Sequence, residues 1–126
     1  MEYVYFLGNL DADDTAIKIG ITYDIARRIH QLQGPVPFRL GCIEYIECPG
    51  DYPSAKLLEK TLHRILNHKR IKLEWFDIRR KDILPAVSLA FQELGLGAVI
   101  VEDTNGAIPP RGRHPYQTEM RQKAPV

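Results

Sequence analysis

The stretch Tyr3-Val4-Tyr5-Phe6-Leu7, followed after a short polar connection by Ala16-Ile17-Lys18-Ile19-Gly20-Ile21-Thr22, decides how this chain folds. The first run is apolar on both alternating faces and rich in β-formers, which suits an interior strand covered on each side. In the second run Ile17, Ile19 and Ile21 share one face, while Ala16, Lys18 and Gly20 share the other. Gly8-Asn9 and the acids Asp11, Asp13 and Asp14 between the runs read as a loop. Two strands joined this closely are expected to pair as an antiparallel hairpin.

Working outward, Thr22 or Asp24 can cap a first helix whose apolar stripe is Ile25, Ile29 and Leu32 and which Gly34-Pro35 ends. Phe38 to Glu47 reads as a third strand. A second helix is expected from near Asp51, with Pro53 in its first turn and a stripe of Ala55, Leu58, Leu62, Ile65 and Leu66. Ile71 to Ile78 reads as extended or irregular, about Lys81 to Leu94 as a third helix, and Ala98 to Val101 as strand-like. The order β-β-α-β-α predicts an α+β fold, a small antiparallel sheet made of the hairpin and a third strand, flanked by helices. Residues 1–103 are expected to form one domain. The Pro- and Gly-containing basic segment 104–126 reads as a flexible tail.

With 126 residues, 44% apolar and 26% charged, the chain is long enough for one compact domain and not for two. No apolar run reaches the roughly 18 residues of a membrane span, and the start lacks the features of a secretory signal. Cys42 and Cys48 are too few for a disulfide framework or a zinc site of their own. These features predict a soluble, cytoplasmic protein with no membrane partner. The net charge of +1 hides an asymmetry: residues 52–81 hold nine Lys and Arg against three acids, a net +6. That segment could attract a polyanion, although a solvated basic helix face has the same composition.

Four residues stand out chemically, each with a plain structural alternative. Tyr5 sits in an apolar strand, where a core tyrosine needs a hydroxyl partner. Lys18 interrupts an Ile, Ala and Gly strand just ahead of Gly20, a position open to close approach by backbone or ligand; a lysine that discourages edge aggregation fits equally. Arg28 lies one turn after Ile25, near the buried stripe, where a guanidinium needs an anion. Glu59 stands at the margin of the second helix's stripe with His63 four residues on, which suits either a metal-holding carboxylate or a surface pair.

Taken in order, Tyr3-Val4-Tyr5, Lys18-Ile19-Gly20-Ile21-Thr22, Arg28, Leu32-Gln33, Leu58-Glu59 with His63, and Glu74-Trp75-Phe76 resemble the GIY-YIG nuclease superfamily. The similarity is greatest to the branch named after a bacteriophage T5 open reading frame. It covers about residues 3–80. Tyr-Val-Tyr stands in place of Gly-Ile-Tyr, and Lys18 occupies a position where better-known members carry tyrosine. The resemblance implies a metal-dependent DNA endonuclease with Tyr5, Lys18, Arg28 and Glu59 as catalytic residues. Glu59 would anchor one Mg²⁺ or Mn²⁺, with His63 and Glu74 supporting the site. Lys56, Lys60, Arg64, Lys69, Arg70 and Lys72 would contact the phosphates of DNA, with RNA not excluded. Sharp sequence specificity would need a homodimer or a protein partner. The alternative is a non-cleaving nucleic-acid-binding module of the same fold.

Overall fold

The computed structural model describes residues 1–13, 16–48 and 54–96, together with the backbone of 102–103. In chain order the elements are β1 (Glu2–Asn9), β2 (Ile17–Thr22), α1 (Ile25–Gln33), β3 (Leu40–Cys48), α2 (Ala55–Ile65), β4 (Arg70–Lys72), β5 (Trp75–Phe76), α3 (Ile83–Glu93) and β6 (Glu102–Asp103). The strands form one antiparallel sheet in the order β4-β5-β2-β1-β3-β6. Hence the fold is α+β, as the sequence predicts.

β1 is the interior strand expected, and its alternation assigns its side chains to two layers. Val4 and Phe6 join Ile17, Ile19, Leu58, Leu62 and Val87 in a core beneath α2 and α3. Tyr3, Tyr5 and Leu7 join Ile25, Leu40, Cys42 and Tyr45 in a second core, against which Ile29, Leu32 and Trp75 pack. The β1–β3 register slips between Phe6 and Leu7, which face Glu44 and Cys42. The extra residue, Ile43, forms a bulge that lets Ile43 and Ile46 serve the same layer despite their odd spacing.

Local chemistry sets the ends of the helices. Asp24 is the N-cap of α1 and accepts from Arg27 N at 3.1 Å, while Thr22 Oγ1 accepts from Asp24 N at 3.1 Å. Ser54 caps α2 through Leu57 N at 3.1 Å. The expected start near Asp51 and Pro53 lies outside the described residues, as do the expected strand at 98–101 and tail at 104–126. α3 begins at Ile83, later than expected, because a 3₁₀ turn at Arg80–Asp82 precedes it. Pro85 then falls in the first helical turn, where its missing N–H costs nothing.

One reading needs correction. The third strand begins at Leu40 rather than Phe38, because Gln33 occupies the connection. Its Nε2 donates to Phe38 O at 2.7 Å and its Oε1 accepts from Leu40 N at 2.8 Å. The segment read as extended or irregular at 71–78 is extended in part, with β5 and most of β4 falling in it and a turn at Leu73 with φ 52° between them. Strands of three and two residues are too short to carry a legible period. They take their structure from the open edge of β2, with Lys18 opposite Trp75.

Candidate active site

Tyr5 and Gly20 are direct cross-strand partners on the α1 face of the sheet. With no side chain at position 20, the phenol ring lies across the β2 backbone and is almost fully buried, at 1% exposure. Its hydroxyl emerges beneath α1 and accepts a hydrogen bond from Arg28 Nε at 3.3 Å. Arg28 reaches it because the Asp24 cap fixes where α1 begins, setting Ile25 inward and Arg28 at the rim, where its other arm donates to Gln31 Oε1 at 3.5 Å. Burial pushes the Tyr5 phenol above its ordinary value of 10.0; Arg28 pulls against this by hydrogen bond and charge, and the carboxylates of Glu74 and Glu59 add to the rise. Arg28 is in turn held above its usual range, chiefly by the bond to Tyr5 and further by the charge of Glu74.

Lys18 sits on the same face, two residues from Gly20, and is 7% exposed. Its Nζ lies 3.0 Å from Glu74 Oε1 and 5.6 Å from the centroid of the Trp75 ring. Glu74 is held at this place by its backbone as well, since its carbonyl accepts from Ile19 N at 3.0 Å. Lys18 is therefore neither a bare surface lysine nor an aggregation guard. It is an ordered cation with one carboxylate and one aromatic face as neighbours.

Glu59 arrives from α2, on the other side of the sheet, and is 4% exposed. Its Oε1 lies 3.5 Å from Nζ of Lys56, whose side chain is mostly in solvent. His63, one turn further along the same helix face, docks α2 onto β2: Nε2 donates to Ile19 O at 2.9 Å. The imidazole also tilts against Phe76, centroids 5.1 Å apart. So His63 supports Glu59 by fixing the helix, with Nε2 spent on the strand and not on the carboxylate. The Ile19 carbonyl lies just past the point where β5 stops pairing with β2, and the charge of Glu59 is the smallest of the influences that raise the Tyr5 phenol.

Tyr5 of β1, Arg28 of α1 and Glu74 of the β4–β5 turn are thus linked by charge and by the Arg28 hydrogen bond, with Lys18 tied in through Glu74; Glu59 of α2 bears on Tyr5 by charge alone. The six expected phosphate contacts divide into two groups. Lys56, Lys60, Lys69 and Lys72 are exposed. Arg64 is paired with Glu93, and Arg70 binds Asn67 Oδ1 at 3.1 Å and Leu73 O while stacking 4.9 Å from the Phe76 centroid. Both arginines are exposed as well, and Lys56 approaches Glu59; a run of basic residues in sequence does not distinguish those with partners from the others. Two contributors carried no assigned role in the sequence: Trp75, which faces Lys18, and Gln33, which clamps the chain below α1. A single tryptophan directly after the acid that pairs with Lys18 is the signal that could have pointed to the first.

No group of three or more His, Cys, Asp and Glu suited to a metal occurs among the described residues. The buried Glu59 carboxylate is a hard-oxygen donor of the kind that suits Mg²⁺ or Mn²⁺, ions that keep most of their waters. Among the described residues no helix is long and apolar enough to cross a membrane. No curated protein and no solved structure matches the chain. Residues 2–90, spanning every side chain of this site, match the T5orf172 domain, and the chain belongs to that family.

Proposed function

We propose that this protein is a nuclease of the GIY-YIG superfamily, a metal-dependent DNA endonuclease that hydrolyses phosphodiester bonds with a single divalent cation held by Glu59. The observation that carries the reading is the Tyr5 hydroxyl bonded to the Arg28 guanidinium, on the same sheet face as the Lys18–Glu74 pair. Phosphodiester hydrolysis calls for a positioned water, stabilisation of charge on the phosphoryl oxygens and help for the leaving oxygen. Mg²⁺ or Mn²⁺, when bound, supplies charge neutralisation and lowers the pKa of coordinated water.

The chain's own groups take the other roles. Arg28 offers its planar fork to the phosphoryl oxygens. Tyr5 keeps its proton at neutral pH as any phenol does, and burial holds it more firmly still, so its hydroxyl orients the attacking water before it takes any part as a base. Lys18 adds positive charge beside the phosphate, moderated by Glu74. The exposed Lys56, Lys60, Lys69 and Lys72 track the DNA backbone, giving salt-sensitive and weakly sequence-selective binding. The non-cleaving alternative draws on one observation: Lys18, which replaces a tyrosine hydroxyl, is paired with Glu74.

The test is incubation of the purified chain with plasmid, branched DNA and RNA in Mg²⁺ or Mn²⁺. Metal-dependent products that vanish in Glu59→Ala and Arg28→Ala support the nuclease. Salt-sensitive binding that persists in chelator, with no products on any substrate, replaces it with the binding module.

A further inference from the structure

Beside the catalytic cluster lies a groove to which the reading above gives no part. The connection Pro35-Val36-Pro37-Phe38 forms one wall, Trp75 and Ala16 the other, around an open hollow of about 340 Å³. That is within the range of small-molecule sites, about 300–1,000 Å³. Every lining residue is apolar and two are aromatic. Two prolines stiffen one wall, so little ordering is left for a ligand to impose. At the groove's margin the Lys18 ammonium stands 5.6 Å from the Trp75 ring, and Gly20, with the Tyr5–Arg28 pair over it, lies two residues further along β2.

The surface therefore presents two cations and a flat aromatic hollow in succession. A ligand that complements both carries an anion beside a planar ring, Lys18 Nζ lying 5.6 Å from the Trp75 centroid, which is the chemistry of a nucleotide. We propose that this groove is a subsite for one unpaired nucleobase, stacked on Trp75 with Phe38 alongside, while the phosphate of the same strand lies over Lys18 and Arg28. The subsite rests on the nucleic-acid reading above and deepens it by naming the substrate class. A base inside a duplex already has neighbours on both faces and cannot also offer one to Trp75, so the groove selects single strands, flaps, frayed ends or an extruded nucleotide. Glu74, sharing Lys18, keeps the local positive charge modest, so stacking as well as charge decides what binds.

Trp75 is the chain's single tryptophan and reports directly on the groove. The full chain in chelator is titrated with an oligothymidylate of about ten nucleotides and with an abasic strand of the same length and charge. The expected result is quenching of Trp75 fluorescence by the base-bearing strand only, with binding at least about fivefold tighter than to the abasic strand. Phe38→Ala should reduce that preference, as should Trp75→Leu, and the first variant keeps the test alive if the second does not fold. Equal affinity for both strands without quenching overturns the subsite and leaves the nuclease reading to its own assay on duplex DNA. Binding of neither strand, together with no metal-dependent cleavage, overturns both.

Discussion

Tyr5 and Gly20 face each other across the β1–β2 pair, and the phenol fills the space that a side chain at position 20 would need. A Cβ there would lie 2.6 Å from Tyr5 Cζ and closer still to the hydroxyl oxygen. Gly20→Ala should therefore push the ring off Arg28, at a stability cost of about 1–3 kcal/mol. Cleavage should fall on the order of a hundredfold, because a displacement of about 1 Å in a reacting group is enough for that. Urea unfolding and initial cleavage rates read the two effects separately; an active Gly20→Ala protein would contradict the role given to this contact.

Tyr5→Phe keeps the ring and removes the hydroxyl. Stability at neutral pH should change by no more than about 1 kcal/mol, since the bond to Arg28 is long and at the rim, while cleavage drops by about a hundredfold or more. The pH dependence has a definite sign. The folded chain holds the Tyr5 proton more tightly than the unfolded chain does, so the stabilisation is present below pH 10.0 and is lost as pH rises past that value toward the folded pKa. Unfolding free energies measured from neutral to strongly alkaline pH should decline more steeply for the wild type than for Tyr5→Phe, and parallel curves would contradict the shift.

Glu59→Gln preserves size and removes the charge a cation needs. In the wild type, Mn²⁺ or Mg²⁺ at a hundredfold excess over its Kd should add about 2.7 kcal/mol to stability, and chelator should reverse this. The variant should show no such gain. Thermal unfolding with and without metal checks the prediction independently of any nuclease assay, and an equal metal effect in both proteins would move the ion elsewhere.

Glu74→Gln leaves Lys18 buried without its counter-charge. The expected loss is about 1–3 kcal/mol, much of it recovered in Lys18→Met with Glu74→Gln, where no charge is left unpaired. A double-mutant cycle by urea unfolding measures the coupling. Additive single effects would mean that the pair contributes nothing to the fold.

The motifs divide by how local their physics is. The hairpin was legible from Tyr3 to Thr22, because alternation and a short polar loop are properties of neighbouring residues. The helix stripe of Ile25, Ile29 and Leu32 was legible for the same reason. Gln33 was visible as part of Leu32-Gln33, but its use as a clamp on Phe38 O and Leu40 N depends on the chain turning back within reach. For β4 and β5 the sequence left extended and irregular alternatives open because so short a run has no period; pairing decides it, β5 on β2 and β4 on β5. Likewise, nothing in a row of basic residues separates Lys60, left in solvent, from Arg64, consumed by Glu93.

By itself the sequence determined which residue types were available and where β and α periods begin, since apolar spacing, caps and turn residues act over a few positions. Only the tertiary structure decided that Arg28 meets the Tyr5 hydroxyl, that Lys18 meets Glu74 and Trp75, and that His63 serves as a dock. The physical reason is that electrostatic and hydrogen-bond partnerships depend on distance in space, and packing α2 against the edge of β2 sets that distance for residues more than forty positions apart.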